Sequence, residues 1–146
     1  MSSAGIRIGY LICRPEVAEQ IRKLILSFSL NYLSIAFVKV VLSNDKLMTS
    51  MKDHVKTIVD ERDRLYLRLV DLAPARFTVK WSLGNFLLVR FASEADHYLL
   101  IDLMSHHGIS VLDVSNLCLL EHSLRIGVGS AQENDLLVKV FENAFG

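Results

Sequence analysis

Apolar positions along this chain follow two periods, and the switches between them mark out the elements. Ile6 to Cys13 is mostly apolar and predicts a strand. After Pro15, a residue suited to a first helical turn, Val17, Ile21, Leu24, Ile25 and Phe28 recur at steps of three and four and predict a helix to about Ser27. Asn31 breaks or bends it. Tyr32 to Leu42 is apolar on nearly every side, which predicts a helix buried on several sides. Asn44 and Asp45 then open a long helix, with Leu47, Met51, Val55, Ile58, Arg62, Leu65, Leu69 and Leu72 along one face. Lys52, Asp53, Lys56, Asp60, Glu61, Asp63 and Arg64 lie opposite, reading as a solvated face. Pro74 ends it.

Beyond Pro74 the alternation changes to the strand period. Arg76–Trp81 and Phe86–Phe91 read as strands joined by the turn Ser82-Leu83-Gly84-Asn85. Ser93 can cap a helix from Glu94 to His107, closed by Gly108. Ile109–Val114 reads as a further strand, Asn116–Glu121 as a loop. Leu124, Ile126 and Val128 alternate in a last strand that leaves through Gly127 and Gly129. Ser130 with Glu133 forms a capping box, and Leu136, Leu137, Val140 and Phe141 stripe the final helix. The fold class is therefore α/β: an open sheet of about three to four strands with helices on one face. An apolar strand, two apolar helices and one long helix precede it.

With 146 residues the chain has the size of one domain. Its formal charge is zero, so no basic field favours nucleic acid. Hydrophobic residues make up 51% and mean hydropathy is +0.34. The charge-free stretch Leu24–Val38 is too short for a membrane span, which takes about 20 apolar residues. The surplus apolar surface is instead expected to meet a partner surface, another domain or a subunit. Cys13 and Cys118 have no CxxC spacing, and two buried free thiols in a reducing cytoplasm are expected. Arg7 interrupts the only stretch that could serve as a signal-peptide core.

Two arginines are the candidate chemistry. Arg125 alternates with Leu124 and Ile126 and must point to the opposite face of its strand. Its fork of donors matches a planar carboxylate or a phosphate. Arg7 stands between Gly5 and Gly9, where backbone can come close to a bulky anion. For either, a solvent-facing side chain or a structural salt bridge is the alternative. Gly127-Val128-Gly129 lacks the third glycine of a dinucleotide fingerprint. The histidines (His54, His97, His106, His107, His122) have no trusted ligand spacing and read as structural, and no serine sits in a G-x-S-x-G elbow.

Together the arginine segments support a family resemblance. Ala4-Gly5-Ile6-Arg7-Ile8-Gly9-Tyr10-Leu11 with Pro15-Glu16 resembles the segment just after the cofactor lysine of fold-type I pyridoxal-phosphate aminotransferases, the histidinol-phosphate aminotransferase group above all. Asp60-Glu61-Arg62-Asp63-Arg64-Leu65, Gly84-Asn85-Phe86-Leu87-Leu88-Val89-Arg90-Phe91 and Gly108-Ile109-Ser110-Val111 resemble later segments in the same order. So do Leu124-Arg125-Ile126-Gly127-Val128-Gly129 and Glu133-Asn134-Asp135, which are similar to the C-terminal signature. The resemblance implies that Arg7 contacts the phosphate of pyridoxal 5'-phosphate and that Arg125 grips the substrate carboxylate or phosphate. It also implies that residues 1–43 belong to the large-domain or interdomain region and 44–146 to the small domain. The partners it implies are the large domain or a homodimer partner, met through the apolar helices, and an amino or keto acid substrate. The family's cofactor-bonding lysine would fall before Met1. Leu112 stands where the histidinol-phosphate group usually has an arginine, which sets that substrate in question.

Two functions of different class follow. In the first, the chain is a fragment or subunit-like part of a cytoplasmic aminotransferase. It moves an amino group between an amino acid and a keto acid or phosphorylated amine acceptor, and is inactive alone. In the second, it is a non-catalytic interaction or small-molecule-binding module derived from that fold. Retention of both arginine segments favours the first.

Overall fold

A computed structural model describes residues 4–26 and 29–146, and its chain divides into two compact units, Met1–His54 and Val55–Gly146. The boundary falls inside the long helix. Ser27 and Phe28, which enter the first helix expected above, lie outside the described residues. Among the described residues no helix is long and apolar enough to cross a membrane.

The first unit holds a short 3-10 turn, Ala4–Ile6, helix α1 (Pro15–Arg22), helix α2 (Tyr32–Leu42) and the opening turns of α3 (Asp45–Leu69). The strand expected at Ile6–Cys13 is replaced by the 3-10 turn and irregular backbone. A strand needs a neighbour to take its hydrogen bonds, and no strand lies among the described residues of this unit. Helix α1 stops at Arg22, short of Ser27, because Lys23 and Leu24 close it with tight bonds to the carbonyls of Gln20 and Ile21. Asn31 does break the helical run: it caps α2, its side chain accepting from Leu33 N–H at 2.8 Å. The expected burial of α2 on several sides is not found. Val41 is its buried residue, while Tyr32 is 80% and Leu33 75% exposed. Two short helices and a helix start give this unit too little surface to cover a helix apolar all round. Asn44 caps α3, accepting from Lys46 and Leu47 N–H.

The second unit contains the sheet. Strands β1 (Phe77–Lys80), β2 (Phe86–Phe91), β3 (Leu112–Asp113) and β4 (Ser123–Gly127) form a four-stranded antiparallel sheet in the order β1-β2-β4-β3. Alternation sends Phe77, Val79, Leu87, Val89, Phe91, Leu124 and Ile126 to one face. There they form a core with Leu65 and Leu69 of α3, Leu100 and Met104 of α4 (Glu94–His106), and Leu137, Val138, Val140 and Phe141 of α5 (Ala131–Phe145). Helices thus cover one face, and Thr78, Lys80, Arg90 and Arg125 stay exposed on the other. In α5, Val138 is buried and Leu136 is exposed, a slight rotation of the expected stripe.

The strand expected at Ile109–Val114 pairs only over Leu112–Asp113. Gly108 turns with φ +69, and Ile109 N–H bonds back to Met104, so this stretch first wraps the end of α4. Ile109 and Val111 pack against the core from there. Ser93 caps α4 through Asp96 N–H at 3.1 Å, and the Ser130–Glu133 capping box is present at the start of α5. Cys13 and Cys118 are free but exposed, not buried: both lie in irregular segments outside the core.

Candidate functional site

Arg125 is placed by the strand period. Its neighbours Leu124 and Ile126 are anchored in the core, so its side chain stands on the open face of the sheet. The strand beneath it is held on both sides: Leu88 of β2 and Leu112 of β3 are its direct cross-strand partners. The guanidinium carbon lies 4.3 Å from the centre of the Phe86 ring. A cation–π contact of this kind leaves the in-plane N–H groups of the fork free. Among the described residues the Arg125 side chain has no hydrogen bond or ion pair, and the Phe86 ring is what it rests on. The structural salt bridge offered as the alternative is therefore absent there.

A cavity of about 290 Å³ lies beside this side chain, lined by Ser110, Val111, Leu112, Arg125 and Gly127. A second cavity of about 390 Å³ adjoins it, shares Ser110 and Gly127, and continues to Gly129, Glu133 and Asn134. A Cβ on Gly127 would meet nothing within 4 Å, so this position borders open space. Gly129 differs: a Cβ there would come within 2.8 Å of a Glu133 carboxylate oxygen and 3.0 Å of the Glu133 Cβ, so the side chain that completes the capping box would have to shift.

Sequence reasoning missed what holds this turn. Asn134, buried at 2% exposure, accepts from Gly129 N–H at 3.0 Å and donates to the Gly129 carbonyl at 3.1 Å. Its other amide proton goes to Glu61 on α3 at 3.0 Å. Glu61 also accepts from Arg64, which reaches across to Asp135 at 2.7 Å and to the Ala131 carbonyl at 3.2 Å. The Glu61 carboxyl is held below its ordinary range, first by the Arg64 hydrogen bond and then by Asn134. Arg64 in turn keeps its proton more tightly than usual, through its bonds to Glu61 and then Asp135. Glu61 is thus part of a network between helices, not simply a solvated charge. Asp63 is likewise engaged, by Arg62 at 2.8 Å and by the Trp81 indole at 2.9 Å.

Arg7 lies in the other unit. Its φ is 53°, a left-handed conformation uncommon outside glycine, directly after the 3-10 turn. Its side chain is exposed, and a Cβ at Gly5 or Gly9 would meet nothing within 4 Å, so the backbone on both sides is open to an approaching group. Of the histidines, His97 lies deepest, with a structural position as expected. It is buried on α4 with Nε2 3.3 Å from an Asp113 oxygen. His106 and His107 close α4 as expected, each with Nδ1 against a carbonyl one turn back.

Comparison with known proteins gives these features a family. A histidinol-phosphate aminotransferase from Hydrogenobaculum sp. is 33% identical over 141 residues, covering 95% of this chain and 38% of the relative. The chain therefore spans little more than a third of that relative's length. Among solved structures, a decarboxylase from Sulfurospirillum multivorans superposes with a TM-score of 0.77 at 17% identity, over 99% of this chain and 41% of that one. A histidinol-phosphate aminotransferase from Sinorhizobium meliloti, solved with pyridoxal-5'-phosphate, gives a TM-score of 0.70 at 24% identity, over 97% of this chain and 37% of that one. At these identities the two structures establish a shared fold. Residues 1–141 match the family of class I and II aminotransferases, and the chain belongs to it.

Proposed function

We propose that this chain is the C-terminal, largely small-domain portion of a pyridoxal-phosphate-dependent aminotransferase, contributing Arg125 to grip the substrate anion and Arg7 to contact the cofactor phosphate. One observation carries the reading: Arg125 is fixed on a strand paired on both sides, exposed on the open face, with no acidic partner among the described residues. A guanidinium so placed can receive an anion without first breaking an ion pair. The order of the family-like segments along the chain supports assignment to the C-terminal portion.

Arg7 fits a cofactor phosphate: an exposed guanidinium on left-handed backbone, with open space at the glycine on either side. When bound, the cofactor supplies the electron sink that amino-group transfer requires. What this chain's residues do is narrower. Arg125 binds and orients the substrate's anionic group, Phe86 supports the guanidinium, and Gly127 leaves room beside it. No residue here is assigned the covalent role of the family lysine, so the reading includes inactivity of the 146-residue chain alone. The remainder of a cytoplasmic enzyme or a homodimer partner, met through the exposed face of α2, completes the site.

The test is a titration of the purified chain with pyridoxal 5'-phosphate, followed by visible absorbance, borohydride reduction and mass mapping, beside an assay with a panel of amino acids. The expected result is no turnover and no lysine modified at a single site. Turnover without a lysine-bearing partner would refute the inactivity.

A second reading, a non-catalytic binding or interaction module, draws on Val55–Gly146 being a compact unit with its own core. Restored turnover on adding a separately made lysine-bearing portion favours the enzyme; continued inactivity in a folded complex favours the module.

A further inference from the structure

We infer that the cavity of about 390 Å³ between the end of α4 and the start of α5 binds a small primary ammonium ion carried on an apolar body. The inference goes beyond the proposed function and does not depend on Arg125, which does not line this cavity.

Local backbone makes the space. Gly108 leaves α4 with φ +69, its N–H bonding the Ser105 carbonyl at 3.0 Å, and Ile109 N–H returns to the Met104 carbonyl at 2.8 Å. The chain therefore folds over the end of α4 before it reaches β3. On the other side β4 leaves the sheet through Gly127, which has no side chain to fill the gap. Ile126 and Leu137, 1% and 4% exposed, supply a buried apolar wall, and Leu136, 42% exposed, lies toward solvent. The volume falls in the range of small-molecule sites, about 300–1,000 Å³.

What such a cavity recognises follows from which of its polar groups are already spent. Val128 N–H bonds the Asn85 carbonyl at 2.9 Å, Gly129 N–H the Asn134 side chain at 3.0 Å, and Ser130 N–H the Glu133 carboxylate at 2.7 Å. Three donors with which a glycine-containing strand exit could cradle a phosphate are thus taken. Both Asn134 amide protons are taken too, by the Gly129 carbonyl and by Glu61. No lysine or arginine is among the described lining residues.

The charged group that does line the cavity is an acceptor. Glu133 receives the Ser130 N–H and hydroxyl on one oxygen, Oε2, which leaves Oε1 for a ligand. Those bonds, the backbone one first, hold its carboxyl below the ordinary range, so it is an anion at neutral pH. His107 adds a second acceptor. Its Nδ1 lies 2.8 Å from the Leu103 carbonyl, which can only accept, so Nδ1 carries the proton and Nε2 of the neutral ring accepts. His107 also caps α4, where the carbonyls of the last turn carry negative partial charge. One negative charge, a neighbouring acceptor and an apolar wall together match a cation that has N–H donors and hydrocarbon behind them. A primary ammonium ion offers three such donors; a quaternary one offers none.

The experiment titrates the 146-residue chain at pH 7 and fixed ionic strength with benzylammonium chloride, and separately with benzyl alcohol, benzoate, methylammonium and benzyltrimethylammonium, reading backbone amide shifts. Expected are saturable shifts at Ile109, Gly129 and Glu133 with benzylammonium, and binding about tenfold weaker for each of the other four. Glu133→Gln separates charge from structure, because glutamine can still complete a capping box. It should weaken benzylammonium about tenfold and leave benzyl alcohol unchanged. Leu136→Ala should weaken benzylammonium several-fold and leave methylammonium unchanged. Benzyl alcohol, benzoate or the quaternary ion binding as tightly as benzylammonium overturns the inference. So does full affinity in Glu133→Gln, and so does the absence of saturable binding. Shifts confined to Leu112 and Arg125 would put the ligand in the adjoining cavity and overturn it as well.

Discussion

The side chain of Asn134 pairs with both backbone groups of Gly129, accepting from its N–H at 3.0 Å and donating to its carbonyl at 3.1 Å. The amide acts as a short extra strand, clamping the chain four residues beyond Arg125. A third bond, to Glu61, ties the clamp to α3. Asn134→Leu keeps similar volume but leaves the Gly129 groups and Glu61 without this partner, which costs about 1–3 kcal/mol. Asn134→Asp should be worse, because a carboxylate would face the Gly129 carbonyl and the Glu61 carboxylate in place of two donors. Urea unfolding of the two variants and the parent chain checks the order; an Asp variant as stable as the parent would contradict the clamp.

The same network gives stability a dependence on acid. The Glu61 carboxyl lies below its ordinary value of 4.5, through Arg64 and then Asn134. Asp96 lies below 3.8, chiefly through Arg76, whose Nε donates to it at 3.0 Å. A carboxyl whose pKa is lower folded than unfolded binds fewer protons folded. Its contribution is complete above the unfolded value and is lost as pH falls through the folded one. Stability should therefore decline from just above pH 4.5 downward. The deficit of Glu61→Gln relative to the parent should shrink over that same interval, because the parent loses the charge as well. Unfolding free energies from pH 7 to 3 measure this, and a deficit constant across that span would argue against the assignment.

Much of the fold was legible because it follows from local rules. The bounds of α2 and β2, the Ser93 cap and the Ser130–Glu133 box obey residue preferences that act over a few positions. So does the outward turn of Arg125, fixed by alternation with Leu124 and Ile126. What escaped depends on partners distant in sequence. Ile6–Cys13 has strand composition without a strand beside it, and Ile109–Val111 is spent on covering the end of α4. The Asn134–Glu61 bond joins residues 73 apart, and neither residue carries a local mark of the role. Arg62 was visible as a charge within an apolar seam, but not its reason: the guanidinium lies 4.7 Å from the centre of the Trp81 ring.

That contact makes a clean optical reporter, since Trp81 is the chain's single tryptophan. Arg62 is 4% exposed and Trp81 48%, so Arg62 covers part of the indole while Asp63 accepts its N–H at 2.9 Å. Arg62→Ala removes the cover and should shift Trp81 emission to the red, with a stability loss of about 0.5–2 kcal/mol from the lost cation–π contact. Arg62→Met keeps a long apolar stem over the ring and should retain most of the parent's spectrum. Steady-state fluorescence of the two folded variants decides the point; a red shift of equal size in both would mean the stem does not shield the ring.

His97 and Asp113 explain how so short a strand as β3 stays in place. Leu112–Asp113 is only two residues long and lies at the sheet edge, yet it carries the leucine opposite Arg125. The His97 ring is 1% exposed, packed near Phe91, Tyr98 and His122, and its Nε2 reaches within 3.3 Å of the Asp113 carboxylate. No well-aligned hydrogen bond satisfies that nitrogen, and the Asp113 carboxylate is the polar group the structure places beside it. His97→Ala should cost about 2–4 kcal/mol, as for other large buried rings. His97→Phe keeps the packing and removes only the polar link, so its global loss should be small. Its effect should appear locally, as faster hydrogen exchange at Val114, whose N–H bonds to the Ser123 carbonyl at 3.1 Å. Unchanged exchange at Val114 in His97→Phe would mean that packing alone holds β3 against β4.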